Sequence, residues 1–171
     1  MSEMRAATIG DIKIAAENAK GICDKMSGHW SGGRYEPNSI DLADYHIGIL
    51  EDGKYLIRDD FTEKLAHTWH RNTGNIGIAF FACFGATSND LGQYAPTDVQ
   101  INSMALAVRV VCDALEQSVN DTFKTHAEWA DLDGYGPATT CERWDLAILR
   151  IGDAWMSGGD QIRKLAAEVA T

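Results

Sequence analysis

Between Gly74 and Gly85 the chain reads Asn-Ile-Gly-Ile-Ala-Phe-Phe-Ala-Cys-Phe, residues 75 to 84, an almost unbroken apolar run. A strand with one wet face alternates polar and apolar residues. A run rich in Ile and Phe with no alternation instead suits a strand buried on both faces. Such a strand needs packing elements above and below it, which commits the chain to a layered architecture. With 171 residues, one domain can bury that core without disulfide or oligomeric help.

The flanking patterns supply the other layers. Thr8-Ile9-Gly10-Asp11 reads as a capping box, and Ile12, Ala15, Ala16, Ala19, Ile22, Cys23 and Met26 follow at helical spacing, predicting a helix from about residue 9 to 24. In DYHIGILEDGKYLI, residues 44 to 57, two apolar runs flank Asp52-Gly53, a β-hairpin signal. Residues 85 to 97 read as a loop. Pro96 to Gln100 opens a helix that carries Ile101, Met104, Ala105, Val108, Val111, Cys112 and Leu115 on one face. A short strand around Phe123 to His126, an irregular stretch from Asp131 to Thr140 and a final helix from Gln161 to Ala170 complete the pattern. Helices interleaved with strands predict a mixed α/β domain, a central sheet flanked by helices, spanning residues 1–171 without an internal repeat.

Composition removes several function classes. A net charge of -10 is the wrong sign for a nucleic-acid footprint, which needs clustered Lys and Arg. It also disfavours simple attraction to an anionic cell wall, so a wall-acting protein of this charge must recognise its substrate by local contacts. Cys23, Cys83, Cys112 and Cys141 form no CxxC pair and suggest neither a disulfide framework nor a thiolate zinc site. The first twenty residues carry acids throughout and lack an apolar core segment, and no stretch is long enough to span a membrane. The expectation is a soluble chain made in the cytoplasm without its own export signal.

The histidines are where chemistry is to be sought. His29 precedes Ser31-Gly32-Gly33, a small-residue turn at the expected end of an edge segment. His126 is expected at a strand end, with Glu128 two residues on and on the same face if the backbone stays extended. Asp145 would share a face with Arg143 in the same way. Two imidazoles and a carboxylate from three segments, leaving one position open, are the ligand set of a catalytic zinc site. Taken singly, these residues also fit surface or hydrogen-bonded roles, because scattered ligands lack a spacing signature such as HExxH.

Four strings occur in order: HWSGGRYEPNSIDLADYHIGILEDGKYLI, AHTWHRNTGNIGIAFFACFGA, THAEWADLDGYGP and CERWDL. Together, over about residues 28 to 150, they resemble the type-2 N-acetylmuramoyl-L-alanine amidases, the superfamily that includes peptidoglycan recognition proteins, and particularly the phage and prophage endolysins. The resemblance implies Zn2+ held by His29, His126 and Asp145, with peptidoglycan as the substrate. It implies that Tyr45 and Arg143 face the scissile amide and that His67 lines the substrate groove. His70 matches no family position. The hairpin's alternation sends Tyr45 and His46 to opposite faces, so Tyr45 goes to the cleft and His46 reads as a packed, hydrogen-bonded histidine.

Relatives often carry a glutamate after the Ile-Gly-Ile run; Ala79 stands there, and Glu128 is the substitute candidate for the general base, beside a reading as a merely solvated acid. Trp30, Trp69 and Tyr94 offer aromatic surface to glycan or peptide, or simply pack. The reaction implied is hydrolysis of the amide between N-acetylmuramic acid and L-alanine, the enzyme reaching the wall after release from the cell. Two alternatives remain: a peptidoglycan-binding module without catalysis, and a cysteine-dependent endopeptidase using Cys141.

Overall fold

The apolar run lies deep inside a sheet. In the computed structural model, which describes residues 3–87, 89–135, 141–151 and 153–170, with only the backbone at 141, 142 and 151, Asn75 to Phe80 are all buried. In chain order the elements are β1 (Arg5–Ala7), α1 (Ile9–Ala19), β2 (Lys25–Trp30), α2 (Ser39–Asp44), β3 (Ile47–Ile49), β4 (Tyr55–Ile57) and β5 (Asn75–Phe80). They continue with α3 (Asp98–Leu115), α4 (Val119–Thr122), β6 (Phe123–Thr125), α5 (His126–Asp133), α6 (Cys141–Trp144), β7 (Ile148–Ile151), β8 (Ala154–Ser157) and α7 (Gly158–Glu168). The main sheet has the order β1-β4-β3-β5-β2-β6; β7 and β8 pair separately. Strands β3, β5, β2 and β6 are parallel, and β4 and β1 extend the sheet antiparallel at one edge.

Residues alternate across a strand, so Met26, Ile76 and Ile78 turn to one side, into a core shared with Ile12, Ala16, Met104 and Val108 of α1 and α3. α3 packs between α1 and α7 over that face. Ser27, His29, Asn75, Gly77 and Ala79 turn to the other face. This second face carries the chemistry.

The structure corrects several expected boundaries. Thr8 and Asp11 form the capping box, but α1 ends at Ala19, five residues early, because Gly21 adopts a left-handed φ of 81°. The segment carrying His29 is not at an edge: β2 sits between β5 and β6. The β-hairpin forms as expected. Helix α2 was not read from sequence, although Asn38 and Asp41 form its capping box. Cys23, Cys83 and Cys112 are buried free thiols, and residues 136–140 of the irregular stretch lie outside the described residues.

His46 shows how side chains extend the sheet. Its Nδ1 accepts from the Gly77 N–H (3.0 Å) and its Nε2 donates to the Glu63 carbonyl (2.7 Å). Burial pushes its pKa down to about 4, leaving it neutral near pH 7. An unfolded histidine titrates near 6.5, so between about pH 6.5 and 4 only the unfolded chain takes up this proton. Stability therefore falls as pH falls through that window, by roughly 3 kcal/mol from this group. Urea denaturation from pH 7 to 4 should show the loss, and His46→Gln should flatten the slope by about one proton. An unchanged slope in the variant would rule out His46 as the source.

Candidate metal centre

Three segments meet at the carboxyl ends of the parallel strands, where ligands commonly bind in α/β sheets. β2 delivers His29. After β6, Thr125 caps helix α5 and places His126 at its first position. Asp145 follows α6 and is tied twice by backbone: its Oδ1 accepts from Trp30 N–H (2.8 Å) and its carbonyl from Ala127 N–H (3.2 Å). Its Oδ2 stands 2.6 Å from His29 Nδ1 and 3.1 Å from His126 Nδ1. All three residues are buried.

Burial lowers the pKa of His29 despite the carboxylate beside it. Burial alone would raise Asp145, but its contacts with His29 and His126 outweigh that and hold it below the usual carboxylate range. A neutral imidazole and an ionised carboxylate are the forms that bind metal. One potential ligand atom from each of His29, His126 and Asp145 lies within 4.8 Å of the others. Tetrahedral zinc with bonds of about 2.0–2.2 Å separates its ligand atoms by roughly 3.3–3.5 Å, so a slight outward movement admits the ion. The donor set, imidazole nitrogen and carboxylate oxygen, fits zinc.

Tyr45 reaches this cluster. It is the half-buried C-cap of α2, its ring centroid is 5.0 Å from that of His29, and its extended backbone turns it opposite to His46. Arg58, buried between these elements, donates to the carbonyls of Leu42 and Ala43 at the end of α2 (both 3.1 Å) and so fixes the approach to Tyr45.

Other expected residues lie elsewhere. Glu128 belongs to a helix, not an extended strand, so it does not share a face with His126. Its Oε1 accepts from Thr125 N–H (2.9 Å) and both its oxygens accept from Arg163 (2.9 and 2.7 Å), which commits it to a cap and an ion pair. The expectation of an extended backbone that sets Glu128 on the face of His126 is thereby corrected. The segment before Asp145 is likewise helical, so Arg143 does not share its face; Arg143 Nε donates to the Tyr135 carbonyl (3.2 Å) and approaches Asp131 (3.3 Å). Ala79, after the Ile-Gly-Ile run, pairs in register with His29 and puts a buried methyl beside it.

Trp30 is no substrate platform. It is 1% exposed, turned into the core with its ring edge-on to Trp144. Trp69 is 58% exposed, sits edge-on to Tyr135 (5.0 Å) and lines a cavity of about 680 Å³ with Lys25, Arg71 and Asp133. Tyr94 packs against Tyr35 (5.3 Å). His67 is buried, not a wall of an open groove: its Nδ1 lies 3.2 Å from His29 Nε2. Sequence reading passed over its neighbour Thr68, whose hydroxyl lies 2.9 Å from His67 Nδ1; position beside His67 was the only signal. Arg71 makes a two-bonded ion pair with Asp133 at the end of α5 (2.6 and 2.7 Å) and lies over the Trp129 ring (4.2 Å). The side chain of Cys141 lies outside the described residues.

No family model matches the sequence, and no curated protein matches it. Among solved structures, the chain is similar to the endolysin N-acetylmuramoyl-L-alanine amidase LysCS from Clostridium intestinale URNW, with a TM-score of 0.47 and 14% identity over 75% of this chain and 77% of that one. The N-acetylmuramoyl-L-alanine amidase LysC of the same organism gives a TM-score of 0.47 and 14% identity over 75% of this chain and 78% of that one. The Drosophila peptidoglycan recognition protein PGRP-SA gives 0.47 and 15% over 62% and 69%.

Proposed function

We propose that the chain is a zinc-dependent amidase that hydrolyses the bond between N-acetylmuramic acid and L-alanine of peptidoglycan. The observation that carries this reading is the buried cluster of His29, His126 and Asp145, brought together from three segments within ligand distance of one another. The order of the four sequence strings supports the choice of substrate.

Zinc held by these residues would polarise the amide carbonyl and activate water for attack. The chain's own groups do the rest. His29 and His126 both lie against Asp145 Oδ2, so the three donor side chains already face one another before substrate arrives. Tyr45, beside His29, offers its hydroxyl to the oxyanion that develops at the attacked carbonyl; such a preorganised donor contributes about 2–4 kcal/mol. Arg143, which donates to the Tyr135 carbonyl and pairs with Asp131, would supply positive charge to the same substrate. Trp69 gives the peptide or glycan an exposed aromatic surface beside a cavity. Glu128 has no part in proton transfer.

Retention of all three ligand residues favours catalysis over a binding module. Purified sacculi digested with the protein, with and without a zinc chelator, test this by mass analysis of the products. Stem peptides beginning with L-alanine, released only without chelator, are expected. Cut glycan or internally cut peptides would contradict the assigned bond, and zinc-free protein that binds sacculi without releasing amino termini would establish the binding module instead.

A further inference from the structure

A chain with 25 acids against 15 bases offers a carboxylate to almost any cation on its surface. The arginines follow that rule with one exception. Each of the others stands against an aspartate or glutamate, whereas Arg34 has no carboxylate partner among the described residues. Its guanidinium lies instead over two aromatic rings, 5.9 Å from the centroid of Phe84 and 5.8 Å from that of Tyr94. The ring faces hold the cation in place, and the exposed side chain keeps its N–H donors for another partner.

This platform is costly to build. Phe84 is 52% exposed, and Cys83 before it holds a left-handed φ of 75°, which is rare and strained for a residue with a side chain. At Gly92 an added Cβ would run into the Phe84 carbonyl oxygen, so the loop closes over glycine alone. Two backbone bonds fix the three side chains relative to one another. The Phe84 N–H donates to the carbonyl of Gly33, next to Arg34 (2.8 Å), and the Cys83 N–H donates to the carbonyl of Tyr94 (2.7 Å). A strained turn, an exposed ring and a cation without an acid, all in one place, are what a binding site requires and packing does not.

The platform stands on the segments that follow β2 and β5, at the same end of the sheet as the metal centre. Gly32, on the way to it, lies against the ring of Trp144, the residue before Asp145. Arg34 is five residues beyond His29, at most about 18 Å along the chain, which is the span of an extended stem pentapeptide. On peptidoglycan the negative charge lies in that peptide. The carboxyl of muramic acid is tied up in the scissile amide and the sugars are otherwise neutral, while the peptide keeps free carboxylates on D-glutamate and at its end. A guanidinium fork meets a carboxylate with two parallel hydrogen bonds. We infer that Arg34, on its floor of Phe84 and Tyr94, is the binding site for a free carboxylate of the stem peptide, an inference that rests on the peptidoglycan reading above. It gives a chain of net charge -10 a local contact with an anionic substrate.

Two synthetic N-acetylmuramoyl pentapeptides test the site, one with its carboxylates free and one with each converted to the carboxamide. By calorimetry, wild type should bind the free form about 10–100-fold more tightly, as expected of hydrogen bonds to a charged group. Arg34→Gln should bind the two forms within about threefold of each other, and Arg34→Lys should keep only part of the preference, because a point charge replaces the fork. Wild type that binds both forms equally, or a glutamine variant that keeps the preference, overturns the inference. So does a loss in Arg34→Gln seen on sacculi but with neither soluble peptide, which puts the anion elsewhere in the wall. Release of L-alanine amino termini, followed in parallel, separates this from the amidase reading. Preferential binding without cleavage leaves the carboxylate site standing and removes the amidase; equal binding with cleavage does the reverse; binding of neither form removes both.

Discussion

Asp145→Ala should strip the protein of zinc while Asp145→Cys keeps it. The carboxylate supplies one of three ligands and sets both imidazoles, with Oδ2 at 2.6 and 3.1 Å from their Nδ1 atoms. Structural zinc in zinc-finger peptides is bound with about 10–16 kcal/mol, and on that scale losing one ligand in three removes roughly 3–5 kcal/mol, or about 10²- to 10⁴-fold in affinity. Two readouts check it: zinc per protein after gel filtration, and the rise in melting temperature on adding zinc, which reflects binding to the folded state alone. Amide cleavage should fall with metal content. An alanine variant that still purifies with stoichiometric zinc and an unchanged thermal response would show that Asp145 is no ligand.

The two tryptophans should respond in opposite ways. Trp30→Ala removes a fully buried side chain packed on Trp144 and should cost about 3–5 kcal/mol of stability. Trp30→Phe should cost much less, because Trp30 Nε1 has no hydrogen-bond partner among the described residues and nothing polar is lost with it. Trp69→Ala, at an exposed position, should shift stability by only about 0.5 kcal/mol. It should instead weaken retention on sacculi by about 1 kcal/mol, roughly fivefold. Denaturant titrations and sedimentation with sacculi separate these effects. A Trp30→Ala protein as stable as wild type, or a Trp69→Ala protein that binds as well as wild type, would reverse the assignment of that residue.

What could be read from sequence followed how local each signal is. The β5 run announced a strand buried on both faces because its apolar residues are contiguous, and the helix after Thr97 announced itself by a capping box and one apolar face. His29, His126 and Asp145 emerged as candidates from ordered strings, and the structure brings them together. Edge or interior position was not readable: where β2 sits depends on which strands pair with it, and no residue of β2 encodes that order. The misplacement of Glu128 had a local cause. Thr125-His126-Ala127-Glu128 is itself a capping box, so the helix begins at His126 and the alternation of the strand, which ends at Thr125, does not reach Glu128. Trp30 could have been placed by counting along β2, since Met26, Gly28 and Trp30 alternate toward the helical layer. The His67 contacts lay beyond such reasoning, because they depend on where two distant rings come to rest.

The ion pair of Arg71 with Asp133, backed by the Trp129 ring, fastens the segment bearing His67 to the far end of the helix that starts with His126. Neither can therefore swing outward alone. Local opening at this face is a single event shared by both pieces of chain, and amide hydrogens in residues 67–73 and in α5 should exchange with a common free energy of opening. Whatever enters the site meets its two histidine-bearing walls as one rigid body.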